Sequence, residues 1–151
     1  MAVSQEASDI IQRKKLQYCR YIDTNQLQQL DTVIIPDAKL LFLQSDGSVM
    51  NAGGTDFSFS SRQEFVSYYG SAFEGQQTMH HIGAGDFEQL SLNEIKAIWG
   101  VIYYSSTKEA VGGLMASGGG YYYETWTRKD GDWFMSKMRF ERAFWKITRS
   151  E

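Results

Sequence analysis

The stretch GYYYETWTRK at residues 120–129, the turn DGD at 130–132 and the run WFMSKMRFERAFWKI at 133–147 decide the fold. Both arms are rich in aromatic residues and alternate with a period of two, which is the pattern of a strand with two unlike faces. Asp130-Gly131 between them is a strong hairpin signal. Upstream, Glu94–Ser105 and Thr78–Leu90 alternate in the same way, with a turn at Leu92-Asn93. Ser106–Ser117 reads as a longer hairpin loop. The second half of the chain is therefore a four-strand meander. The first half is different. Ser8–Ile22 reads as an amphipathic helix with Ile11, Leu16, Cys19 and Ile22 along one stripe. Asp23-Thr24-Asn25 ends it, and a short helix follows at Gln26–Leu30. Pro36, the only proline, closes that unit and starts an extended segment. Lys39–Gln44 is a first strand and residues 45–61 a polar loop. Ser61, with Glu64 three residues on, caps a helix at Arg62–Phe73. Helices segregated ahead of an antiparallel sheet imply an α+β fold. The expected architecture is one domain over residues 1–151, a curved antiparallel sheet packed on N-terminal helices.

Composition limits the function. The chain has 151 residues, is 42% hydrophobic and 15% aromatic, and carries a net charge of −3. Its densest basic run, Arg13-Lys14-Lys15, lies on the first helix and reads as a solvated face, so nucleic acid is not an expected partner. A single cysteine, Cys19, rules out an internal disulfide and a cysteine-based metal cluster. It reads as a small core residue. No apolar run approaches the ~18 residues of a membrane span, and Met1–Gln12 lacks a signal-peptide core. The chain reads as soluble and cytoplasmic, with no membrane partner. Gly118-Gly119-Gly120 is not followed by a helix pattern and is no phosphate cradle.

A strongly curved sheet wrapped over helices makes a cone whose mouth can hold one small ligand. Several segments resemble members of the nuclear-transport-factor-two-like cone superfamily. Met79-His80-His81-Ile82-Gly83-Ala84 resembles the histidine strand of scytalone dehydratase. Asp23, followed by Val33-Ile34-Ile35-Pro36, resembles its aspartate region. Ala97-Ile98-Trp99-Gly100, Gly120-Tyr121-Tyr122-Tyr123-Glu124-Thr125 and Asp130-Gly131-Asp132-Trp133 are similar to the pattern of SnoaL-like polyketide cyclases. The resemblance runs from Ile11 to Arg142. It implies that Asp23 and His80 form a hydrogen-bonded acid–base dyad. The dehydratase's second histidine falls at Ser105, its two water-positioning tyrosines at Ile22 and Phe42, and its amide side chain at Tyr122. The resemblance thus keeps the dyad and loses the machinery specific to scytalone.

The same resemblance, combined with strand parity, turns His80, Trp99, Val101, Tyr103, Gly120, Tyr122, Glu124, Trp126, Met138, Phe140 and Arg142 into the cone. His81, Tyr121, Tyr123 and Arg139 turn out of it. His80 suits general acid–base work because its ordinary pKa lies near ~6.5, and a carboxylate on its other nitrogen fixes its tautomer. The pair can equally be two buried polar groups satisfying one another. Glu124 is either a general acid in an apolar pocket or the ion-pair partner of Arg142. Tyr103 and Arg142 are candidate catalytic groups beside them. Tyr122, Trp99, Phe42, Met138, Phe140 and Ser105 are candidate substrate contacts. Gly112-Gly113 and Gly118–Gly120 either make a mobile hairpin over the mouth or let the sheet bend.

These residues point to a cofactor-free, metal-free acid–base enzyme of secondary metabolism. The expected reaction is isomerisation, cyclisation or rearrangement, ahead of water elimination, on a polycyclic polyketide, terpenoid or alkaloid intermediate. A fungal context and a homodimer through the outer sheet face are the further expectations. The rival from another class is a noncatalytic ligand-binding or subunit-assembly cone. Epoxide hydrolysis in the same fold needs an Asp–Arg–Asp cluster that the chain does not offer.

Overall fold

The computed structural model describes residues 2–149, so both ends of the expected 1–151 domain lie outside the described residues. Helix α1 spans Gln5–Asp23, and the Ser4 side chain caps it by accepting from the Ala7 N–H at 3.1 Å. Its buried face is Ala7, Ile11, Lys14, Lys15, Tyr18 and Cys19. Leu16 does not belong to that stripe and is 45% exposed. At 3.6 residues per turn it sits about 140° around the helix from Ile11, whereas Lys15 lies almost beneath it. The basic run is accordingly not a solvated face. Lys14 and Lys15 are both buried, Lys15 completely. Cys19 is buried, as its place in the sequence suggests.

A 3-10 helix at Leu27–Thr32 leads into β1, Ile34–Leu43. This strand begins well before Lys39, and Pro36 lies inside it. The pairing of β1 shifts register between Ile34 and Lys39, and a bulge is where a residue without an N–H removes no ladder bond. A small hairpin, β2 (Asn51–Ala52) and β3 (Thr55–Asp56), precedes β4, Ser58–Phe59. Helix α2 spans Arg62–Ala72, with the Ser61 hydroxyl accepting from the Glu64 N–H at 3.1 Å. The Glu64 carboxylate reaches back to the Ser60 N–H and hydroxyl, at 2.9 Å each.

The expected strand Thr78–Leu90 is two strands, β5 (Gln76–Ile82) and β6 (Asp86–Ser91). Both pair with β7, Glu94–Thr107, end to end along one side. Gly83-Ala84-Gly85 makes the break. A Cβ on Gly85 would fall inside the Phe87 and Trp99 rings, which pack edge to face there. Strand β8 spans Leu114–Lys129 and β9 spans Asp132–Arg149. The expected loop Ser106–Ser117 shrinks to residues 108–113, with Gly112 and Gly113 at positive φ. Gly118–Gly120 are strand residues.

The sheet order is β4-β1-β9-β8-β7-β5, with β6 also on β7. Every pairing is antiparallel except β1–β9, which is parallel, so the sheet is mixed rather than wholly antiparallel. Hairpin signals specify only neighbours in sequence. The two strands of this pair are far apart in the chain and free to align either way. Helix α1 packs against β5 and β9, and α2 against β1. Phe65, Trp99, Trp126, Ile11 and Leu30 are fully buried between the layers, each contributing on the order of 1.5–3 kcal/mol of apolar burial.

Candidate active site

Register sorts the inner face of the sheet into rows of increasing exposure. Ala97, Glu124, Met138 and Leu40 are partners across β7, β8, β9 and β1. Trp99, Tyr122, Phe140 and Phe42 form the next row. Val101, Gly120 and Arg142 follow. His80, Tyr103, Gly118 and Trp145 form a row nearer the mouth. A cavity of about 370 Å³ lies over the three outer rows and is closed from the helix side by Tyr18, Tyr69 and Phe73.

Asp23 is the last residue of α1, and three donors from β5 fix its carboxylate. The Thr78 hydroxyl donates to Oδ1 at 2.8 Å and the His80 backbone N–H to Oδ2 at 2.8 Å. His80 Nδ1 lies 2.6 Å from Oδ1. A carboxylate there accepts, so Nδ1 is the donor, and in the neutral ring Nε2 keeps its lone pair. No buried side-chain nitrogen or oxygen among the described residues lacks a partner. Nε2 has none, so it is an open atom of the cavity wall. The His80 ring stacks on Tyr103 with centroids 5.7 Å apart. His81 is exposed on the outer face.

Tyr103 links His80 to Arg142, whose Nε donates to the Tyr103 hydroxyl at 3.2 Å. Arg142 Nη1 donates to Gln44 Oε1 at 3.0 Å, and the guanidinium lies 4.5 Å from the Trp145 ring centroid. Gly118 makes this arrangement possible, since any Cβ there would overlap the Tyr103 ring. Burial raises the Tyr103 pKa, and the Arg142 charge only partly offsets that. Burial likewise raises Tyr18, Tyr69 and Tyr122. These hydroxyls stay protonated at neutral pH.

Tyr122, Phe42, Phe140 and Ser105 line the cavity, as does Ile22. Four expected site residues do not: Asp23, which meets the cavity through His80, and three that lie deeper. Met138 is 1% exposed in the innermost row. Trp99 is fully buried, and its indole N–H donates to Glu124 Oε1 at 2.7 Å. Glu124 is sealed in the core. Its Oε1 also accepts from Trp126 at 3.0 Å, and its Oε2 pairs with Lys15. It therefore neither faces the cavity nor pairs with Arg142. Lys15 Nζ also sits 3.9 Å and 3.5 Å from the ring centroids of Tyr18 and Tyr122. A buried cation thus underlies the cavity floor. Lys15 follows Ile11 and precedes Cys19 by four residues each, and that spacing is the signal by which it could have been found. Gln44, Thr78 and Tyr18 also join the site without a sequence signal of their own.

A mixed, curved sheet folded over N-terminal helices around one apolar cavity defines the nuclear-transport-factor-two-like cone. Within that class the chain belongs to the SnoaL-like family, whose domain model matches residues 4–139. The protein named "Probable cyclase FGR4" from Gibberella zeae is 46% identical over 147 residues, covering 97% of this chain and 98% of its own. Among solved structures, a "Putative Scytalone Dehydratase" from Novosphingobium aromaticivorans superposes with a TM-score of 0.75 at 16% identity, over 91% of this chain and 85% of that one. An NTF2-like superfamily protein from Salmonella enterica superposes with a TM-score of 0.70 at 10% identity, over 91% and 92%. Among the described residues no helix is long and apolar enough to cross a membrane.

Proposed function

We propose that the chain is a cofactor-free acid–base isomerase or cyclase of secondary metabolism, acting on an apolar polycyclic intermediate. The observation that carries this reading is the Asp23–His80 contact, with Nδ1 committed to the carboxylate and Nε2 open to an aromatic cavity. The 46% identity to a protein named as a cyclase supports the same direction. In the proposed step, His80 Nε2 takes a proton from a carbon or hydroxyl of the substrate. The Asp23 carboxylate then stabilises the imidazolium. Tyr103, whose oxygen already accepts from the Arg142 cation, keeps its own proton to donate to the substrate carbonyl where negative charge develops. The imidazolium returns the proton at a second atom, so double-bond migration or ring closure leaves no net change in protons. Water elimination is the runner-up. It would require the returned proton to reach a leaving hydroxyl, and Ser105, Ile22 and Phe42 offer little to position water there. A homodimer through the outer sheet face is also proposed, on the exposed Ile102, Tyr104, Tyr121 and Phe144.

The test begins with metabolite profiling of the source strain lacking the gene, to obtain the intermediate that accumulates. Purified protein without added cofactor should convert it. His80→Ala and Asp23→Asn should lower kcat by about 10²–10⁴-fold with unchanged circular dichroism. Near-normal turnover in either variant refutes the dyad.

A further inference from the structure

Arg142 is unusual among the cations packed inside this fold. Lys15 has Glu124 and Lys14 has Asp132, each within ion-pair distance. Arg142 is half-buried in the cavity wall, and no carboxylate among the described residues comes within ion-pair distance of it. Its partners are a phenol oxygen, an amide oxygen and an indole face. All are neutral, and they occupy only two of the five guanidinium N–H groups. The acids nearest it in sequence or fold are engaged elsewhere. Glu141 accepts from Arg139 at 2.9 Å, and Asp46 accepts from the Ser48 hydroxyl and N–H. The residues lining the cavity include no Asp, Glu or Lys. Apart from His80, Arg142 is the one ionisable cation in a wall that is otherwise aromatic, aliphatic or neutral polar.

A cation held in an apolar wall by neutral acceptors retains most of its unmet attraction for an anion. With no carboxylate among the described residues in ion-pair contact with it, that anion can come with the ligand. We propose that the ligand of this cavity carries a carboxylate on its apolar ring system, and that Arg142 binds it through the N–H groups left free by Tyr103 and Gln44. This deepens the proposed function, because it rests on the same cavity being the substrate site. It assigns Arg142 a binding role distinct from the proton chemistry of His80. It also orients the ligand, with the carboxylate on the Arg142 and Trp145 side and the ring system over Tyr122, Phe140 and Phe42.

The probe pair is anthracene-9-carboxylate and its methyl ester, titrated calorimetrically into the full-length chain at pH 7.5. The acid should bind at least about tenfold more tightly than the ester, the scale of a charge-assisted pair. Arg142→Gln should bring the acid down to the ester's affinity and leave the ester unchanged. Arg142→Lys should restore part of the difference. Equal binding of acid and ester by the wild type overturns the proposal, whether or not the variants fold. So does a loss of acid selectivity in His80→Ala but not in Arg142→Gln, since the imidazolium would then be the anion's partner. The outcome is separable from that of the dyad. Acid selectivity that persists while His80→Ala turns over normally refutes the dyad alone. Absent selectivity with an inactive His80→Ala refutes the carboxylate site alone.

Discussion

Replacing Lys15 by Met removes a buried charge while keeping the length of the side chain, and its cost can be worked from the surroundings. Lys15 and Glu124 side chains are both at 0% exposure. Removing one member of such a pair strands the other, typically at about 3–5 kcal/mol. The Glu124 carboxylate would keep the Trp99 and Trp126 indole donors, so Lys15→Met belongs at the low end, about 3 kcal/mol. Glu124→Gln leaves an amide oxygen for the indoles and strands the ammonium against the Tyr18 and Tyr122 ring faces. Those faces return up to about 2 kcal/mol when desolvated, so this variant also falls near 3 kcal/mol. The double variant has no buried charge, and a neutral replacement of a buried pair is often close to neutral in stability. It should lie within about 2 kcal/mol of the wild type, which makes the coupling between the two sites at least about 4 kcal/mol. At this chain length each single variant should lower Tm by about 6–12 °C. Guanidinium unfolding of the four proteins, followed by tryptophan fluorescence, measures the cycle. Additive single effects, or a Lys15→Met protein within about 0.5 kcal/mol of wild type, would refute the reasoning.

Two further outcomes follow from the titrating groups around α1. Burial pushes the Cys19 thiol up to about 11, so at pH 8 only about one native molecule in a thousand carries the thiolate, against roughly a quarter when unfolded. Iodoacetamide should therefore label the folded chain far more slowly than the chain in guanidinium, and comparable rates would contradict the burial. Desolvation opposes ionisation of Asp132, but the Lys14 ammonium and the Trp133 N–H outweigh it and hold the carboxyl below its ordinary value. The buried partner bears the greater desolvation, and the Lys14 pKa is lowered mainly by burial despite Asp132. Because the folded carboxyl pKa is depressed, its stabilisation is present above the unfolded value near ~3.9 and is lost as pH falls through the folded one. For a carboxylate 46% exposed the amount is at most about 1 kcal/mol. The stability gap between wild type and Asp132→Asn should be constant from pH 7 to 5 and shrink below pH 4, as read by urea unfolding. A gap that does not change with pH would remove the linkage.

Strand parity was readable because the antiparallel ladder preserves it across partners. Once His80 faces inward, Tyr103 and Gly118 opposite it must share its face, and the alternation of residues 120–129 carries Tyr122, Glu124 and Trp126 with them. The parallel β1–β9 pair was not readable, since no local turn reports on it. The helix was misread where residue type was weighed above period. Lys15 continues the Ile11–Cys19 line and is inside, while Leu16 breaks it and is outside. Depth was not readable at all. Tyr69 and Phe73 stand four residues apart at the end of α2, but periodicity cannot tell whether such a face meets packed side chains or a cavity.

The fate of Glu124 and Arg142 follows from the same register. Both face the interior, and their opposite charges made them natural partners in the sequence. Glu124 stands opposite Met138, whereas Arg142 stands opposite Gly120. Gly120 lies four residues from Glu124 along β8, roughly 13 Å at 3.3 Å per residue, beyond the reach of a direct ion pair. Glu124 therefore meets the charge that α1 brings across the inner row, and Lys15 neutralises it beneath the aromatic row of Trp99, Tyr122, Phe140 and Phe42. Arg142 is left two rows higher, near Gly118 and Gly120, where missing side chains leave room for the Tyr103 ring and for the cavity. The internal ion pair closes the bottom of the cone with no net charge. Among the described residues lining the cavity, the two charged or imidazole side chains, His80 and Arg142, both stand beside Tyr103.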